Sequence, residues 1–223
     1  PMNPDHLEKI LANRPTNKKG KVRALASKFV DGKPVGPWYF EGTRKDDPND
    51  RVAHEHRREL RGMRVISSWL NDTDRRDANT MAVYTDGNYI KHLVQDFGNT
   101  LGANGAQIHT PIYGQAYLID PRYIALSAVT LGANVRPWET IDAEVPYPSV
   151  GYFTANNFKP GQWVPVHPIP AFENMTLRDA FWGAKKVMSF TDEDIRAIVE
   201  TGKLSNPAAE EYLIEVLKKR RDK

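Results

Sequence analysis

Apolar residues recur along the chain at spacings that predict helices at both ends of the sequence and in its first half. Between Ala53 and Leu70 an apolar residue returns every three or four positions while arginines occupy the opposite face, a pattern typical of an amphipathic helix. Shorter helices are expected over 6–13, where Asp5 is a candidate cap, and near 123–131. The arginine face of the long helix is expected to be solvated.

Three further helices are predicted in the last third of the chain, because residues that cap a helix N-terminus recur there. The candidate caps are Thr176 with Asp179, Thr191 with Asp194, and Asn206 followed by Pro207. A capping side chain accepts a hydrogen bond from a backbone N–H group that the first turn leaves without a partner. The helices are expected near 176–189, 191–201 and 207–221.

Alternating apolar and polar residues predict two β-hairpins. The first extends from Lys21 to Phe40 and turns at Asp31–Pro34, and the second has strands over Met81–Tyr84 and Tyr89–Val94. The second hairpin turns at an Asp-Gly pair, which tight turns favour. The region between Gly98 and Pro170 is rich in Gly, Pro and Asn and is expected to be mostly loops. Together these patterns predict an α+β fold in one compact unit.

Composition excludes several classes of function. The chain has 223 residues, of which 40% are hydrophobic and 26% charged, and its formal net charge is +3. Much of the positive excess lies in Lys218–Arg221 at the end of a predicted helix, so nucleic acid is not expected as a partner. Cysteine is absent, which excludes disulfides and thiolate chemistry. No apolar run is long enough to span a bilayer, so a soluble protein is expected, with cytoplasmic and exported locations and the oligomeric state left open.

One segment combines the residue types that phosphoryl transfer requires. Asp74 and Asn79 lie in a predicted loop, and Asp96 follows the second hairpin. Transfer of a phosphoryl group from ATP needs Mg²⁺ held against the phosphates and a carboxylate beside the acceptor hydroxyl. We expect these three side chains to converge on one cleft, with the hairpin fixing their separation. The alternative is that Asp72, Asp74 and Asn79 form only a capped turn and that Gly98 ends a strand.

The stretch DRRDANTMAVYTDGNYIKHLVQDFGNTLG, over 74–102, resembles the catalytic and metal-binding loops of phosphatidylinositol 3- and 4-kinases. The resemblance implies an atypical kinase that uses ATP and Mg²⁺. The residues that it places at the site are Asp74 as catalytic base, Asn79 and Asp96 as metal ligands, and Phe97 and Gly98 beside the nucleotide. The acceptor stays open between a protein, a lipid and a small hydroxyl compound.

The same resemblance implies a protein-kinase-like fold, mainly its helical C-terminal lobe with a β-hairpin remnant of the small lobe. Residues 1–52 would form the end of the small lobe and a linker, and residues 53–223 the helical lobe with both loops. Lys28 resembles the nucleotide-binding lysine of kinases, with Glu55 or Glu59 as its partner. The short interval between Lys28 and the catalytic loop favours a structural role for Lys28 and places the Gly-rich phosphate loop of such a kinase before Pro1.

The chain departs from the kinase pattern at two positions. Arg76 stands where the lipid kinases have His, and Gln95 precedes Asp96 where an apolar residue is usual. Two other functions stay open: a pseudokinase or binding module that does not turn over, and a structural secreted or envelope protein. The segments HEHRRELRG and DAFWGAKKVM are similar to bacterial proteins without an assigned function, and this similarity adds no activity.

Overall fold

The computed structural model describes residues 3–12, 16, 20–22, 30–105 and 107–223. Its helices are α1 (Pro4–Ala12), α2 (Arg58–Leu70), α3 (Pro121–Val129), α4 (Pro170–Glu173), α5 (Leu177–Val187), α6 (Asp192–Thr201) and α7 (Pro207–Arg221). Its strands are β1 (Lys33–Gly36), β2 (Thr80–Tyr84), β3 (Ile90–Val94), β4 (Ala103–Asn104) and β5 (Gln107–Ile108). Short 3₁₀ turns cover His54–His56, Asp77–Asn79, Pro137–Thr140 and Pro160–Gln162. The fold is therefore of the mixed α+β class.

The six predicted helices are all present. The long helix α2 begins later than expected, at Arg58, because residues 54–56 form a separate 3₁₀ turn. At the starts of α5 and α6 a threonine hydroxyl accepts a bond from the aspartate N–H three residues on, and that carboxylate accepts the threonine N–H in return. Asn206 caps α7 by accepting the N–H of Ala208. The predicted caps therefore define these helix starts.

Strands β1, β2 and β3 form an antiparallel sheet in that order, and the predicted hairpin of β2 and β3 is confirmed. The turn predicted at Asp31–Pro34 is wrong in its second half, because its last two residues already lie in β1 and pair with β2. The strand predicted to reach Phe40 ends at Gly36, where the register shifts and φ is 95°. The other predicted strand of this first hairpin, with Lys28 inside it, falls mostly on 23–29, outside the described residues.

Beyond Gly36 the chain stays beside the sheet through side-chain hydrogen bonds. The N–H of Trp38 donates to Thr80 Oγ1 at 3.0 Å, and the Thr80 hydroxyl donates to the Trp38 carbonyl oxygen at 2.7 Å. The N–H of Phe40 donates to Asp77 Oδ1 at 2.9 Å. These side-chain bonds take the place of the backbone hydrogen bonds of a regular strand. Residues 38–40 therefore lie along the sheet without belonging to β1, which explains why their pattern predicted a longer strand.

The buried apolar side chains form two groups, and α2 contributes to both. Leu60 packs with Trp38, Phe40 and Phe172, so residues before and after α2 share one core. Trp69, at the other end of α2, packs in the second group together with residues of α5, α6 and α7. Helix α2 is therefore the central element on which the described part of the molecule is assembled.

The basic face of α2 packs against α5, contrary to the prediction that it is solvated. Arg61 Nε lies 2.8 Å from Asp179 Oδ2, and the Asp179 carboxylate is buried. The two helix backbones come close at Gly62 and Gly183, where a Cβ on Gly183 would lie 2.5 Å from the Gly62 carbonyl oxygen. The two glycines, one on each helix, thus allow the helices to approach closely, and the buried Asp179 of α5 pairs with Arg61 of α2. No helix in the described residues has the length and apolar character needed to cross a membrane.

Candidate functional site

The loop after α2 is held by distant backbone segments. Helix α2 ends at Asn71, which has the left-handed conformation with φ 51°. The N–H of Thr73 then donates to the Asn99 carbonyl oxygen at 3.3 Å, and the Thr73 carbonyl oxygen accepts the N–H of Val166 at 2.9 Å. Thr73 is fully buried between these segments. These two bonds fix the backbone directly before Asp74.

Asp74 and Asn79 are in contact through the asparagine amide. Asn79 Nδ2 donates to the Asp74 backbone carbonyl oxygen at 2.8 Å and approaches Asp74 Oδ2 at 3.4 Å. The carbonyl oxygen can only accept, so this bond fixes which end of the amide is nitrogen. In the part of the chain that the structure describes, Asn79 Oδ1 has no hydrogen-bond donor. That oxygen is available to a cation, while the Nδ2 bonds close the loop.

Arg75 joins this loop to the segment after β3. Its side chain is 2% exposed, and its Nε lies 2.7 Å from Asp72 Oδ2. Nη1 donates to the Gln95 carbonyl oxygen at 2.9 Å, and Nη2 donates to the carbonyl oxygen of Asp96. The guanidinium carbon lies 4.7 Å from the centre of the Phe97 ring. Arg75 therefore fixes the place at which Asp96 leaves the hairpin.

The Asp96 backbone is left-handed, with φ 55°, and its carboxylate is exposed. Asp96 Oδ1 accepts the N–H of Gly98 at 3.1 Å, the geometry of a tight Asx turn. An added Cβ on Gly98 would lie 3.1 Å from the same oxygen. Gly98 thus shapes the turn around the Asp96 carboxylate, while Phe97 stacks on Arg75 and is half exposed.

The carboxylates around Arg75 influence one another. Burial raises the pKa of Asp72 to about 6, Arg75 opposes this rise, and the negative charges of Asp74 and Asp96 add to it. Asp72 Oδ1 is buried and accepts no hydrogen bond in the described residues. Three carboxylates thus lie close together, and they are partly offset by Arg75 and by Arg76, whose Nε is 3.4 Å from Asp74 Oδ1.

The residues present fit Mg²⁺ in the kind of donor they offer. Mg²⁺ binds carboxylate and amide oxygens and keeps several positions for water or phosphate oxygens. Asp96 offers an exposed carboxylate and Asn79 an unbonded amide oxygen, whereas no three His, Cys, Asp or Glu side chains in the described residues are grouped as a complete metal site. These donors therefore suit a metal that takes its remaining ligands from water or another bound group.

Glu55 contacts the loop after Phe40 rather than the Asp74 loop. Glu55 Oε2 accepts the N–H of Gly42 at 2.6 Å. Bonds from the backbone N–H groups of Glu55 itself and of Gly42 hold the pKa of Glu55 below its usual value. The described contacts of Glu55 thus brace the loop after Phe40, and Lys28 lies outside the described residues.

Three residues of this site were not assigned a role from the sequence. Asp72 and Arg75 form its buried ion pair, and Asp77 holds the Phe40 N–H. Their sequence signal is only the density of Asp and Arg in the loop, which does not tell a buried pair from a solvated one. Comparisons of the chain with protein-family models, with curated proteins and with solved structures found no match.

Proposed function

We propose that this protein is an atypical kinase that transfers the γ-phosphoryl group of ATP, in the presence of Mg²⁺, to a hydroxyl group. The observation that carries the proposal is the Asp74–Asn79 contact, with Asn79 Nδ2 on the Asp74 carbonyl oxygen at 2.8 Å. This bond engages Nδ2 and leaves Asn79 Oδ1 without a hydrogen-bond donor among the described residues, and the Asp74 side chain is 15% exposed. The acceptor is a protein, a lipid or a small hydroxyl compound.

Each residue has a distinct task in this proposal. The Asp74 carboxylate holds the acceptor hydroxyl and takes its proton as the hydroxyl oxygen forms its bond to phosphorus. Asn79 Oδ1 and the Asp96 carboxylate would hold Mg²⁺, and Arg75 fixes the Asp96 backbone by donating to its carbonyl oxygen. Bound Mg-ATP supplies the phosphoryl group and a leaving group whose charge the metal neutralises.

A cavity of about 700 Å³ lies beside the segment that is bonded to this loop. Its walls include Val35, Trp38 and Tyr39, and Phe40 next to them donates its N–H to Asp77 Oδ1. Ligand cavities of about 300 to 1,000 Å³ accommodate molecules of nucleotide size. The cavity is therefore large enough for a nucleotide, although Asp74, Asn79 and Asp96 are not among its lining residues.

The test offers ATP labelled in the γ-phosphoryl group to the full-length protein, to generic protein substrates and to inositol lipids. Asp74→Asn is expected to lower transfer by about 10² to 10⁴-fold, the usual worth of a general base, while Mg-ATP affinity stays close to that of the wild type. Asp96→Asn is expected to weaken Mg-ATP binding itself. Asp86→Asn, the same change on the exposed β2–β3 turn, is the matched control and should alter neither quantity.

Labelling that is equal in the wild type and in Asp74→Asn would show that this loop is not catalytic. Mg-ATP affinity that is the same in the wild type and in Asp96→Asn would remove Asp96 as a metal ligand. Both quantities are measured on the same preparations, so loss of folding is recognised by its effect on both.

The second candidate is a pseudokinase that binds the nucleotide without transfer. It is favoured by Arg76, whose Nε lies 3.4 Å from Asp74 Oδ1 in the position where lipid kinases carry His. A guanidinium at that carboxylate competes with an acceptor hydroxyl for the same oxygen. Wild-type protein that binds Mg-ATP and labels none of the acceptors would establish this second function.

A further inference from the structure

A cavity of about 440 Å³ lies between α2, α5 and the end of α7, away from the Asp74 loop. Most of its wall is apolar, with Val65 and Trp69 from α2 and Ala184 and Val187 from α5. Binding sites for small molecules are of this size and are lined mainly by apolar side chains with a few polar groups. The cavity is therefore suited to an apolar ligand rather than to a hydrophilic one.

The mouth of the cavity exposes large apolar side chains. Phe181 is 69% exposed and Met188 is 58% exposed, and both line the cavity from α5. They lie seven positions apart, on one side of the helix, and Ala184 lies between them. Removing apolar surface from water is favourable. A ligand that covers this stripe would gain from its burial.

The polar groups of the cavity are cationic. Arg64 donates to the backbone carbonyl oxygens of Phe172 and Trp163, at 3.2 Å and 2.8 Å, and its buried Nε has no acceptor. Arg220 is 6% exposed and donates to the carbonyl oxygens of Trp69 and Ser68, at 2.8 Å and 2.5 Å. Among the residues whose placement the structure gives, no carboxylate pairs with Arg64 or Arg220.

Other charged groups around the cavity do not neutralise these two. Asp222 is its lining carboxylate, and Asp222 Oδ1 is already 2.8 Å from Arg221 Nε. Lys223 also lines the cavity and adds a further positive charge. Burial lowers the pKa of Arg220 to about 9, so the guanidinium is still charged at neutral pH. Carbonyl dipoles and the Phe158 ring, 3.6 Å from the guanidinium carbon, stabilise this charge without cancelling it.

We propose that this cavity binds an amphipathic anion, a fatty-acid carboxylate with a single unbranched chain. The chain would cover Phe181 and Met188, and the carboxylate would lie near Arg64 and Arg220. A mostly apolar wall strengthens the attraction between an anion and a guanidinium that no carboxylate neutralises. Arg64 Nε has no acceptor, whereas all three Arg220 nitrogens already donate to backbone carbonyl oxygens. This inference does not depend on the proposed phosphotransfer.

The experiment measures binding of dodecanoate to the full-length protein by calorimetry, below the concentration at which the fatty acid forms micelles. Dodecanol, with the same chain and no charge, and butyrate, with the charge and a short chain, are the ligand controls. Dodecanoate is expected to bind with saturation at one site and at least about tenfold more tightly than either control, a difference of about 1.4 kcal/mol.

Two variants test the location. Ala184→Trp fills the cavity and is expected to weaken dodecanoate binding by at least about tenfold, whereas Ala197→Trp, on the exposed face of α6, should leave it unchanged. Arg64→Met keeps an apolar stem and is expected to reduce the preference for dodecanoate over dodecanol, a ratio that general loss of stability does not alter. No saturable dodecanoate binding by the wild type, or equal binding by wild type and Ala184→Trp, would overturn the proposal.

Discussion

Replacing Arg75 with Met should destabilise the protein strongly, because it leaves a buried carboxylate without its cation. The Arg75 and Asp72 side chains are 2% and 4% exposed. Removing one partner of a buried pair typically costs about 3 to 5 kcal/mol, since the other charge stays buried without compensation. Arg75→Met also removes the donors to the carbonyl oxygens of Gln95 and Asp96. We expect a loss of about 3 to 5 kcal/mol in the free energy of unfolding at pH 8.

The pH dependence of this loss has a definite sign. In the wild type the folded-state pKa of Asp72 is about 6, above the ordinary value of 3.8, so the folded state binds more protons between these values. Stability due to Asp72 therefore falls as pH rises from about 4 to 6, and it is about 3 kcal/mol lower above pH 6. Arg75 lowers that pKa, so Arg75→Met raises it further and extends the decline to higher pH.

The assay is urea denaturation of wild type and Arg75→Met at pH 5 and pH 8. The slope of the free energy of unfolding against urea concentration must be the same in both proteins for the comparison to hold. At pH 5 Asp72 is protonated in both folded proteins. The loss in the free energy of unfolding then comes only from the missing bonds of Arg75 to the carbonyl oxygens of Gln95 and Asp96, about 1 to 2 kcal/mol. Arg76→Met is the matched control, because Arg76 is 53% exposed and its substitution should cost under about 0.5 kcal/mol. The reasoning is refuted if Arg75→Met costs under about 1 kcal/mol at pH 8, or the same at both pH values.

Two other stability predictions concern the packing of α2 on α5. Gly62→Ala should destabilise by about 1 to 3 kcal/mol despite the better helix propensity of Ala, because the new Cβ would lie 2.9 Å from the Asp179 carbonyl oxygen; Gly161→Ala, with open space around it, is the control in the same thermal melts. Asp179→Ala should cost about 2 to 4 kcal/mol in urea denaturation, because Asp179 caps α5 and pairs with Arg61. Burial alone would raise the pKa of Asp179, but bonds from Thr176 and Arg61 lower it. The difference between wild type and Asp179→Ala should therefore be constant above about pH 5 and shrink below about pH 4; an unchanged difference at pH 3 would contradict this assignment.

Features set by neighbouring residues could be predicted from the sequence. The starts of α5, α6 and α7 depend on side chains within the first helical turn, and the β2–β3 hairpin depends on a turn of a few residues. The contact of Asp74 with Asn79 belongs to the same class, since one short loop contains both residues. Their assignment to phosphoryl transfer stays a prediction.

Features set by distant partners could not be predicted. The extent of β1 is decided by pairing with β2 and by the bonds of Thr80 and Asp77, which follow it by more than forty positions. Arg61 was expected in solvent because the sequence of α2 does not reveal the buried Asp179 on α5. Arginine is a residue type usually found at the surface, and Arg75 is buried only because the chain returns over it after β3. Periodicity describes one element at a time and carries no information about the facing element.

The supports of the Asp74 loop come from widely separated parts of the sequence. Phe40 holds Asp77, Gln95 accepts from Arg75, and Asn99 and Val166 hold the backbone of Thr73. Residues 72–79 transplanted onto another scaffold would therefore keep their sequence but lose the contacts that set their conformation. The smallest transferable unit is the loop together with the sheet β1–β2–β3, residues 37–40, the segment 95–101 and the backbone around Val166, so natural recombination would have to exchange these pieces together.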